Sequence, residues 1–205
     1  MRVQLGKLSA LIRWSRRSWS LPAPDFIKRS VLQRFGIPSS PWLETGTYHG
    51  RTTEFLASSA ELHPPLVISL EPTVHFFRSA QARLHHLANV ELFNAASEEA
   101  FEDQLCRLRG APANFWLDGH YSGGPTMLFK GKATPIEHEL ATIAMYSSHF
   151  PEMAVFVDDT RLFANSLTPQ DGYPPQSLLI EWADGLGLRW HIEHDIFVAR
   201  GRPIR

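Results

Sequence analysis

From residue 41 onward, short apolar runs alternate with longer segments in which apolar residues recur at helical spacing. The runs have the length of buried strands, and the longer segments have the length of helices that cover a sheet. We therefore expect five strands, at Trp42–Glu44, Leu66–Leu70, Val90–Phe93, Asn114–Leu117 and Ala154–Val157. The helices between them are expected at about Arg51–Ala60, His75–Leu87, Glu98–Arg107 and Pro135–Phe150. This alternation is typical of repeated βα units around a mainly parallel sheet.

The last part of the chain has a different pattern. After an expected helix near Pro175–Ala183, the strand-like runs Leu188–His191 and Asp195–Ala199 follow one another with only a few residues between them. Strands joined by so short a connection pair antiparallel, as a hairpin. The predicted fold is therefore an α/β, doubly wound, mainly parallel seven-stranded Rossmann-like sheet that ends in an antiparallel hairpin.

The first 40 residues have their own character. Residues 3–19 mix Leu, Ile and Trp with Arg at roughly helical spacing, which predicts one or two short amphipathic helices, ended by Pro22 and Pro24. We interpret residues 1–40 as an N-terminal helical appendage and residues 41–205 as the functional domain. The appendage is expected to pack on its own domain or on a second copy of the chain, so a homo-oligomer is one expectation.

Composition and charge narrow the class of protein. The chain has 205 residues, 43% of them hydrophobic, enough for one domain with a substantial core. Its 20 basic and 21 acidic residues give a net charge of −1, so we expect no nucleic-acid partner. Cys106 is the only cysteine, which fits a reducing, cytoplasmic location. No apolar run reaches the roughly 20 residues of a transmembrane segment.

A glycine-bearing loop follows the first expected strand. The sequence Glu44-Thr-Gly46-Thr-Tyr-His-Gly50 leads from that strand into a helix. Glycines permit tight turns and close approach of a ligand, while a helix N-terminus offers unpaired N–H groups. Glu44 would present a negative charge, which suits an ammonium group better than a pyrophosphate. Alternatively, the glycines only shape a turn, and Thr52 or Thr53 only caps the helix.

This loop resembles motif I of the class I S-adenosylmethionine-dependent methyltransferases, with Tyr48 where the usual middle glycine stands. The terminal hairpin is also similar to that family. The resemblance implies that S-adenosylmethionine binds to loop residues on both sides of the turn, namely Glu44, Gly46, Tyr48, Gly50, Thr52 and Thr53.

Two further positions bear on the cofactor. Glu71 ends the second expected strand, 27 residues after Glu44, where a carboxylate accepts hydrogen bonds from both ribose hydroxyls. After the third strand, the family often has an acidic residue for the adenine amine, whereas Ala95, Ala96 and Ser97 stand here. Ser97 is the candidate adenine contact, with a role as helix N-cap as its alternative.

Three carboxylates follow the fourth and fifth strands. Asp118 ends the fourth strand, and Asp158 and Asp159 end the fifth. Carboxylates brought together repel one another unless protons or a cation compensate, and an all-oxygen cluster suits Mg²⁺ or Ca²⁺. The alternative is that one aspartate of the pair caps the next segment and the other pairs with Arg161.

The arrangement resembles the metal-dependent sugar O-methyltransferases of the macrocin and mycinamicin type. The resemblance implies Asp118, Asp158 and Asp159 as magnesium ligands, with Asp118 also bordering the cofactor and the chemistry. His120 replaces the second aspartate of that family's motif, so we interpret it as the candidate general base or, alternatively, as a structural residue. The glycines of residues 119–132 predict a lid.

The sequence thus predicts a methyltransferase, which transfers a methyl group to an oxygen of a sugar or small hydroxylated metabolite with divalent metal assistance. A noncatalytic ligand-binding protein of the same fold is the alternative from another class. A nicotinamide-dependent oxidoreductase is disfavoured because Gly-x-Gly-x-x-Gly is absent: Tyr48 stands where its second glycine belongs.

Overall fold

The computed structural model describes residues 2–119, 134–163 and 172–204. The helices are α1 (Arg2–Arg16), α2 (Asp25–Phe35), α3 (Arg51–Ala57), α4 (Val74–Leu84), α5 (Ser97–Arg107), α6 (Ile136–Tyr146) and α7 (Gln176–Gly185). The strands are β1 (Trp42–Thr45), β2 (Val67–Leu70), β3 (Val90–Phe93), β4 (Ala113–Leu117), β5 (Met153–Val157), β6 (Arg189–Glu193) and β7 (Ile196–Gly201). Short 3-10 helices follow α6 and β5, at Ser147–His149 and Thr160–Leu162.

The seven strands form one sheet in the order β3-β2-β1-β4-β5-β7-β6. The first five strands of the chain pair in parallel, whereas β7 lies antiparallel between β5 and β6. The predicted fold, including the terminal hairpin, is confirmed. Chain order reverses between β1 and β4, so the carboxyl ends of these two neighbouring strands form the switch point at which such sheets bind ligands.

Alternation along the buried strands builds two apolar layers. Leu43 and Phe115 belong to the core on one face of the sheet, together with residues of α5, α6 and α7. Trp42 and Phe156 belong to the core on the other face, where their rings stack with centroids 5.5 Å apart. Neighbouring residues of one strand point to opposite faces, so helices on both sides leave the strand ends as the polar edge.

Helix α2 was not predicted, because the expected helices covered residues 3–19 only. It begins directly after Pro24 and has apolar residues at helical spacing. Val31 and Leu32 are completely buried and pack in the same core as Trp42. The division into residues 1–40 and 41–205 stays a prediction, but α2 contributes to the core of the sheet.

Element boundaries were less accurate than element order. The helix expected to reach Phe150 ends at Tyr146 and continues as a 3-10 turn. Among the helices of the described residues, none is both long and apolar enough to cross a membrane.

Candidate active site

The loop after β1 has a left-handed backbone at three positions. Gly46 and Gly50 have φ values of +78° and +74°, and Tyr48 has a φ of +50°. Glycine adopts this region without steric cost. Tyr48 therefore takes a left-handed conformation that favours glycine, and its ring packs on Phe76 at 4.3 Å between centroids.

The glycines are also required by close packing within the protein. A Cβ atom on Gly46 would lie 2.3 Å from the backbone oxygen of Asp118, so Gly46 lets the loop touch the end of β4. A Cβ on Gly50 would lie 3.0 Å from the side chain of Leu84 on α4. The expected close approach to a ligand is therefore not the only reason for either glycine.

Glu44 lies behind this loop and is completely buried. Its Oε2 accepts hydrogen bonds from Thr53 at 2.5 Å and from Ser69 at 2.7 Å, and Thr47 lies 2.6 Å from the Ser69 hydroxyl. No described residue donates to Oε1. Burial raises the pKa of Glu44 to about 7, although the two hydroxyl groups oppose this. Thr53 thus holds Glu44 and does not cap α3, whose N-cap is Gly50.

Glu71 follows β2 and is almost completely buried. Its two carboxylate oxygens accept separate backbone bonds, from Tyr48 N at 2.7 Å and from Thr73 N at 2.9 Å. Burial raises the pKa of Glu71, and these N–H groups oppose the rise. The carboxylate is therefore fixed in direction, and each oxygen retains lone pairs for further donors.

Ser97 is the first residue of α5 and does not cap it, because Ala96 is the N-cap. Its hydroxyl donates to Oε1 of Glu139 on α6 at 2.5 Å. Glu139 is completely buried, and burial raises its pKa to about 7. No local pattern singles out Glu139, because its partner Ser97 lies 42 residues away along the chain.

The three predicted carboxylates do meet at one edge of the sheet. Asp118, Asp158 and Asp159 each offer an oxygen within 4.8 Å of the others. A cation already contacts this cluster, because Nζ of Lys28 on α2 lies 2.6 and 2.8 Å from the two oxygens of Asp158. The same nitrogen lies 2.9 Å from Oδ1 of Asp159. Lys28 was not predicted as a site residue.

Arg161 is a second cation that contacts the carboxylate cluster. Arg161 lies 2.5 Å from Oδ1 of Asp159 and also pairs with Asp195, whose side chain has no exposed surface. Asp195 belongs to the β6–β7 turn and also accepts bonds from Thr160 and from the backbone N–H of Arg161. The alternative pairing of Asp159 with Arg161 is therefore present, and Asp158 accepts the backbone N–H of Asp159.

Burial and charge act in opposite directions on the Lys28 cluster. Burial alone would lower the pKa of Lys28, but the charges of Asp158 and Asp159 outweigh this effect and raise it. On balance the pKa of Asp158 is raised, mainly by burial and then by the charge of Asp118, although Lys28 opposes both effects. The position of the ammonium between both Asp158 oxygens favours an ionised pair.

A cavity of about 500 Å³ lies between α2, the loop after β1 and the ends of β4 and β5. This volume lies within the usual range for small-molecule sites. Residues from all four elements and from the start of α3 line it. Five of the predicted site residues are among them, namely Gly46, Tyr48, Thr52, Asp118 and Asp158. Six other described residues of the predicted site do not line the cavity: Glu44, Gly50, Thr53, Glu71, Ser97 and Asp159.

Some predicted features cannot be placed in this way. His120 and the lid expected over residues 119–132 lie outside the described residues, apart from Gly119. Their roles stay predictions.

A seven-stranded α/β sheet with β7 inserted antiparallel between β5 and β6 is the class I methyltransferase fold. Solved structures with this fold resemble the chain at low identity. An rRNA methylase from Streptococcus thermophilus has a TM-score of 0.51 and 15% identity, over 91% of this chain and 99% of that one. SMU.1697c from Streptococcus mutans, solved in complex with SAH, has a TM-score of 0.53 and 12% identity, over 90% of this chain and 100% of that one.

An O-methyltransferase family protein from Burkholderia thailandensis has a TM-score of 0.54 and 13% identity. The match covers 86% of this chain and 55% of that chain. No protein-family model matches the sequence, and no curated protein does. At these identities the likeness concerns the fold alone, so activity has to be argued from the site.

Proposed function

We propose that this protein is an S-adenosylmethionine-dependent methyltransferase that acts on an oxygen atom of a small hydroxylated acceptor. The observation that carries the proposal is the cavity at the switch point, bounded by the motif I loop and the end of β4. A sheet of this order places a cofactor across that point, and the neighbour solved with SAH has the same fold.

The cofactor half of the site fits this ligand. Glu71, held by two backbone N–H groups, has lone pairs left for the two ribose hydroxyls. Glu44 is buried behind the loop with no described partner for Oε1, and a methionine ammonium bound in the cavity would favour its ionised form. Gly46, Tyr48 and Thr52 line the cavity itself.

When bound, the cofactor supplies an electrophilic sulfonium methyl group, which the acceptor oxygen displaces as the carbon–sulfur bond breaks. The chain has to orient that oxygen and remove its proton. Asp118 lines the cavity at the end of β4, and His120 follows two residues later. We assign His120 as the general base, because an imidazole can take up a proton near neutral pH, and Asp118 as the group that orients the acceptor.

Magnesium assistance does not fit the described contacts. The spacing of Asp118, Asp158 and Asp159 would allow a shared ion, but the Lys28 ammonium contacts both oxygens of Asp158, one of which such an ion would have to use. Compensating charge was the reason to expect a metal, and Lys28 and Arg161 supply it. The proposed mechanism therefore has no step through a metal.

The acceptor is proposed to be a sugar or another small hydroxylated metabolite. The cavity is of small-molecule size, and its lining includes both charges, from the ammonium of Lys28 and the carboxylates of Asp118 and Asp158. A net charge of −1 provides no general attraction for RNA. The rRNA methylase among the fold neighbours shares the sheet, which does not select an acceptor.

Calorimetry and labelling test the proposal together. S-adenosylhomocysteine should bind and stabilise the protein against heat, and a labelled methyl group should pass from the cofactor to a metabolite in a cell extract. Glu71→Ala should weaken S-adenosylhomocysteine binding by about 100-fold, because two charge-assisted hydrogen bonds are lost. Glu181→Ala, at an exposed position of α7, is the matched control.

Each alternative has its own outcome in the same experiment. Binding of the cofactor without transfer to any metabolite would favour a noncatalytic ligand-binding protein. Binding of NADH with no binding of S-adenosylhomocysteine would favour an oxidoreductase. An unchanged affinity in Glu71→Ala would remove the ribose role of Glu71.

A further inference from the structure

We propose that Lys28 is the resident cation of the Asp118–Asp158–Asp159 cluster and takes the place of the divalent ion that the family resemblance implies. Its ammonium donates three hydrogen bonds to carboxylate oxygens of Asp158 and Asp159, at 2.6, 2.8 and 2.9 Å. An ammonium has three N–H donors, so these contacts use its full donor capacity.

The contacts are shielded from water. The side chains of Lys28, Asp158 and Asp159 are only 15%, 7% and 10% exposed. A divalent ion shared by the three carboxylates would need an oxygen of Asp158 at roughly 2.0–2.6 Å, and Lys28 contacts both of them. Two cations that share these carboxylates would repel each other, and poor exposure to solvent leaves that repulsion weakly screened. Lys28 therefore excludes the ion as long as it keeps this position.

Helix α2 fixes Lys28 in that position. Residues three and four apart lie on the same helical face, so Lys28 shares its face with Val31 and Leu32. Both of these side chains are completely buried in the core beneath the sheet. The packing of α2 thus places Lys28 beside Asp158, although the two residues are 130 positions apart along the chain.

This assignment makes α2 part of the acceptor site. Lys28 lines the same cavity as Asp118 and Asp158, so an acceptor that enters the cavity meets a fixed ammonium where a metal-dependent relative would present an ion. The inference deepens the proposed function, and its consequence for activity rests on that function. Its consequence for metal binding holds whether or not the protein transfers methyl groups.

Mn²⁺ binding, followed by electron paramagnetic resonance on the full-length protein, tests the inference directly. The wild-type protein should leave millimolar Mn²⁺ free. Lys28→Met keeps most of the side-chain volume but removes the charge, so affinity for Mn²⁺ should rise by about 100-fold. Asp158→Asn added to this variant should abolish the gain. Arg34→Met removes an exposed cation of the same helix and should have no effect.

The wild-type measurement decides the matter even if Lys28→Met does not fold. One Mn²⁺ bound to the wild-type protein and lost in Asp158→Asn would overturn the inference. Lys28→Arg, which keeps a positive charge, should still exclude Mn²⁺. If methyl transfer is found, it should persist in excess chelator, and its loss there with recovery on added magnesium would also overturn the inference. Absence of methyl transfer alongside exclusion of Mn²⁺ would refute the proposed function and leave the role of Lys28 standing.

Discussion

The buried carboxylates on the two sides of the switch point are stabilised in different ways. On the cofactor side, Glu44 and Glu71 accept hydrogen bonds from neutral hydroxyl and backbone N–H groups. On the acceptor side, Asp158 and Asp159 contact Lys28, and Asp195 contacts Arg161. The carboxylates of the cofactor side are therefore stabilised by neutral dipoles, and those of the acceptor side by positively charged groups.

This difference has consequences for what each side can do. Dipoles stabilise a carboxylate without cancelling its charge, so burial still raises the pKa of Glu44 to about 7. Such a group can accept donors from a ligand without breaking an ion pair. A carboxylate paired with a buried cation can leave that cation only at a high cost. We infer that Glu44 and Glu71, which accept bonds from neutral groups, can also bind donors of a ligand. Asp158, Asp159 and Asp195, which pair with cations, form a fixed structure that we call the charge-paired framework.

Removal of Asp195 should have the largest effect on stability. Asp195→Ala removes the completely buried one of the two carboxylates that pair with Arg161, and it removes the acceptor of the Thr160 hydroxyl and of the Arg161 backbone N–H. Breaking a buried ion pair on one side typically costs 3–5 kcal/mol, so we expect a loss of about 4 kcal/mol in the free energy of unfolding. Urea unfolding measures it.

The neighbouring pair of Glu193 and Arg34 provides a control, because the Arg34 side chain is 52% exposed. Glu193→Ala should cost less than about 1 kcal/mol. Equal losses in the two variants would show that the charge-paired framework has no special role.

The strands and the carboxylates at their ends could be predicted from the sequence, whereas the ion pair of Asp195 could not. The hydrophobic pattern predicted every strand; Met153–Val157, for example, is a continuous apolar run, and Val67–Leu70 is apolar apart from Ser69. The carboxylates at strand ends were also found, because a parallel sheet brings such ends to one edge. Local patterns were therefore sufficient wherever the strand order set the geometry.

Partners supplied by other elements could not be found in this way. Lys28 reaches Asp158 across 130 residues, and Arg161 reaches Asp195 across 34 residues. Neither contact leaves a local signal, because a lysine on a helix or an aspartate in a turn usually faces water. Without Lys28, the negative charge of Asp118, Asp158 and Asp159 has too little compensation, and for this reason the sequence predicts a metal ion there.

Gly46 lies where the two sides of the switch point touch, and its substitution should have the next largest effect. Gly46→Ala places a Cβ 2.3 Å from the backbone oxygen of Asp118, and the residue has a φ of +78°. We expect a loss of about 3 kcal/mol, from backbone strain and overpacking together. S-adenosylhomocysteine affinity should fall with it, because the end of β4 has to move.

Gly110→Ala separates the two causes. Gly110 has a φ of +89°, but a Cβ there would have no neighbour within 4 Å. This variant should lose only the backbone contribution, about 1 kcal/mol, and should bind S-adenosylhomocysteine normally. If thermal and chemical unfolding give equal losses for both glycines, the contact between the loop and β4 is not what requires Gly46.

Glu139 tests the dipole-bonded type of carboxylate through its pH dependence. Burial raises its pKa in the folded protein from an ordinary 4.5 to about 7, against the opposing bond from Ser97. Between these two pH values the unfolded chain releases the proton while the folded chain keeps it. The contribution of Glu139 to the free energy of unfolding therefore falls as pH rises from about 4.5 to about 7 and is constant above. At 1.36 kcal/mol per pKa unit, the total fall is about 3 kcal/mol at most, and relaxation around the charge should reduce it to about 1–3 kcal/mol.

Glu139→Gln removes this titration and keeps an oxygen that can accept the Ser97 hydroxyl bond. The stability of the variant relative to the wild-type protein should rise across pH 4.5–7 and then level off. The titration of Glu44 is present in both proteins and cancels in the difference. Urea unfolding at a series of pH values measures the curve, with Glu181→Gln as the exposed control. A difference that does not change with pH would mean that Glu139 is ionised in the folded protein as readily as in the unfolded chain. Its hydroxyl partner would then stabilise the charge as fully as a cation does on the acceptor side, and the contrast between the two sides would fail.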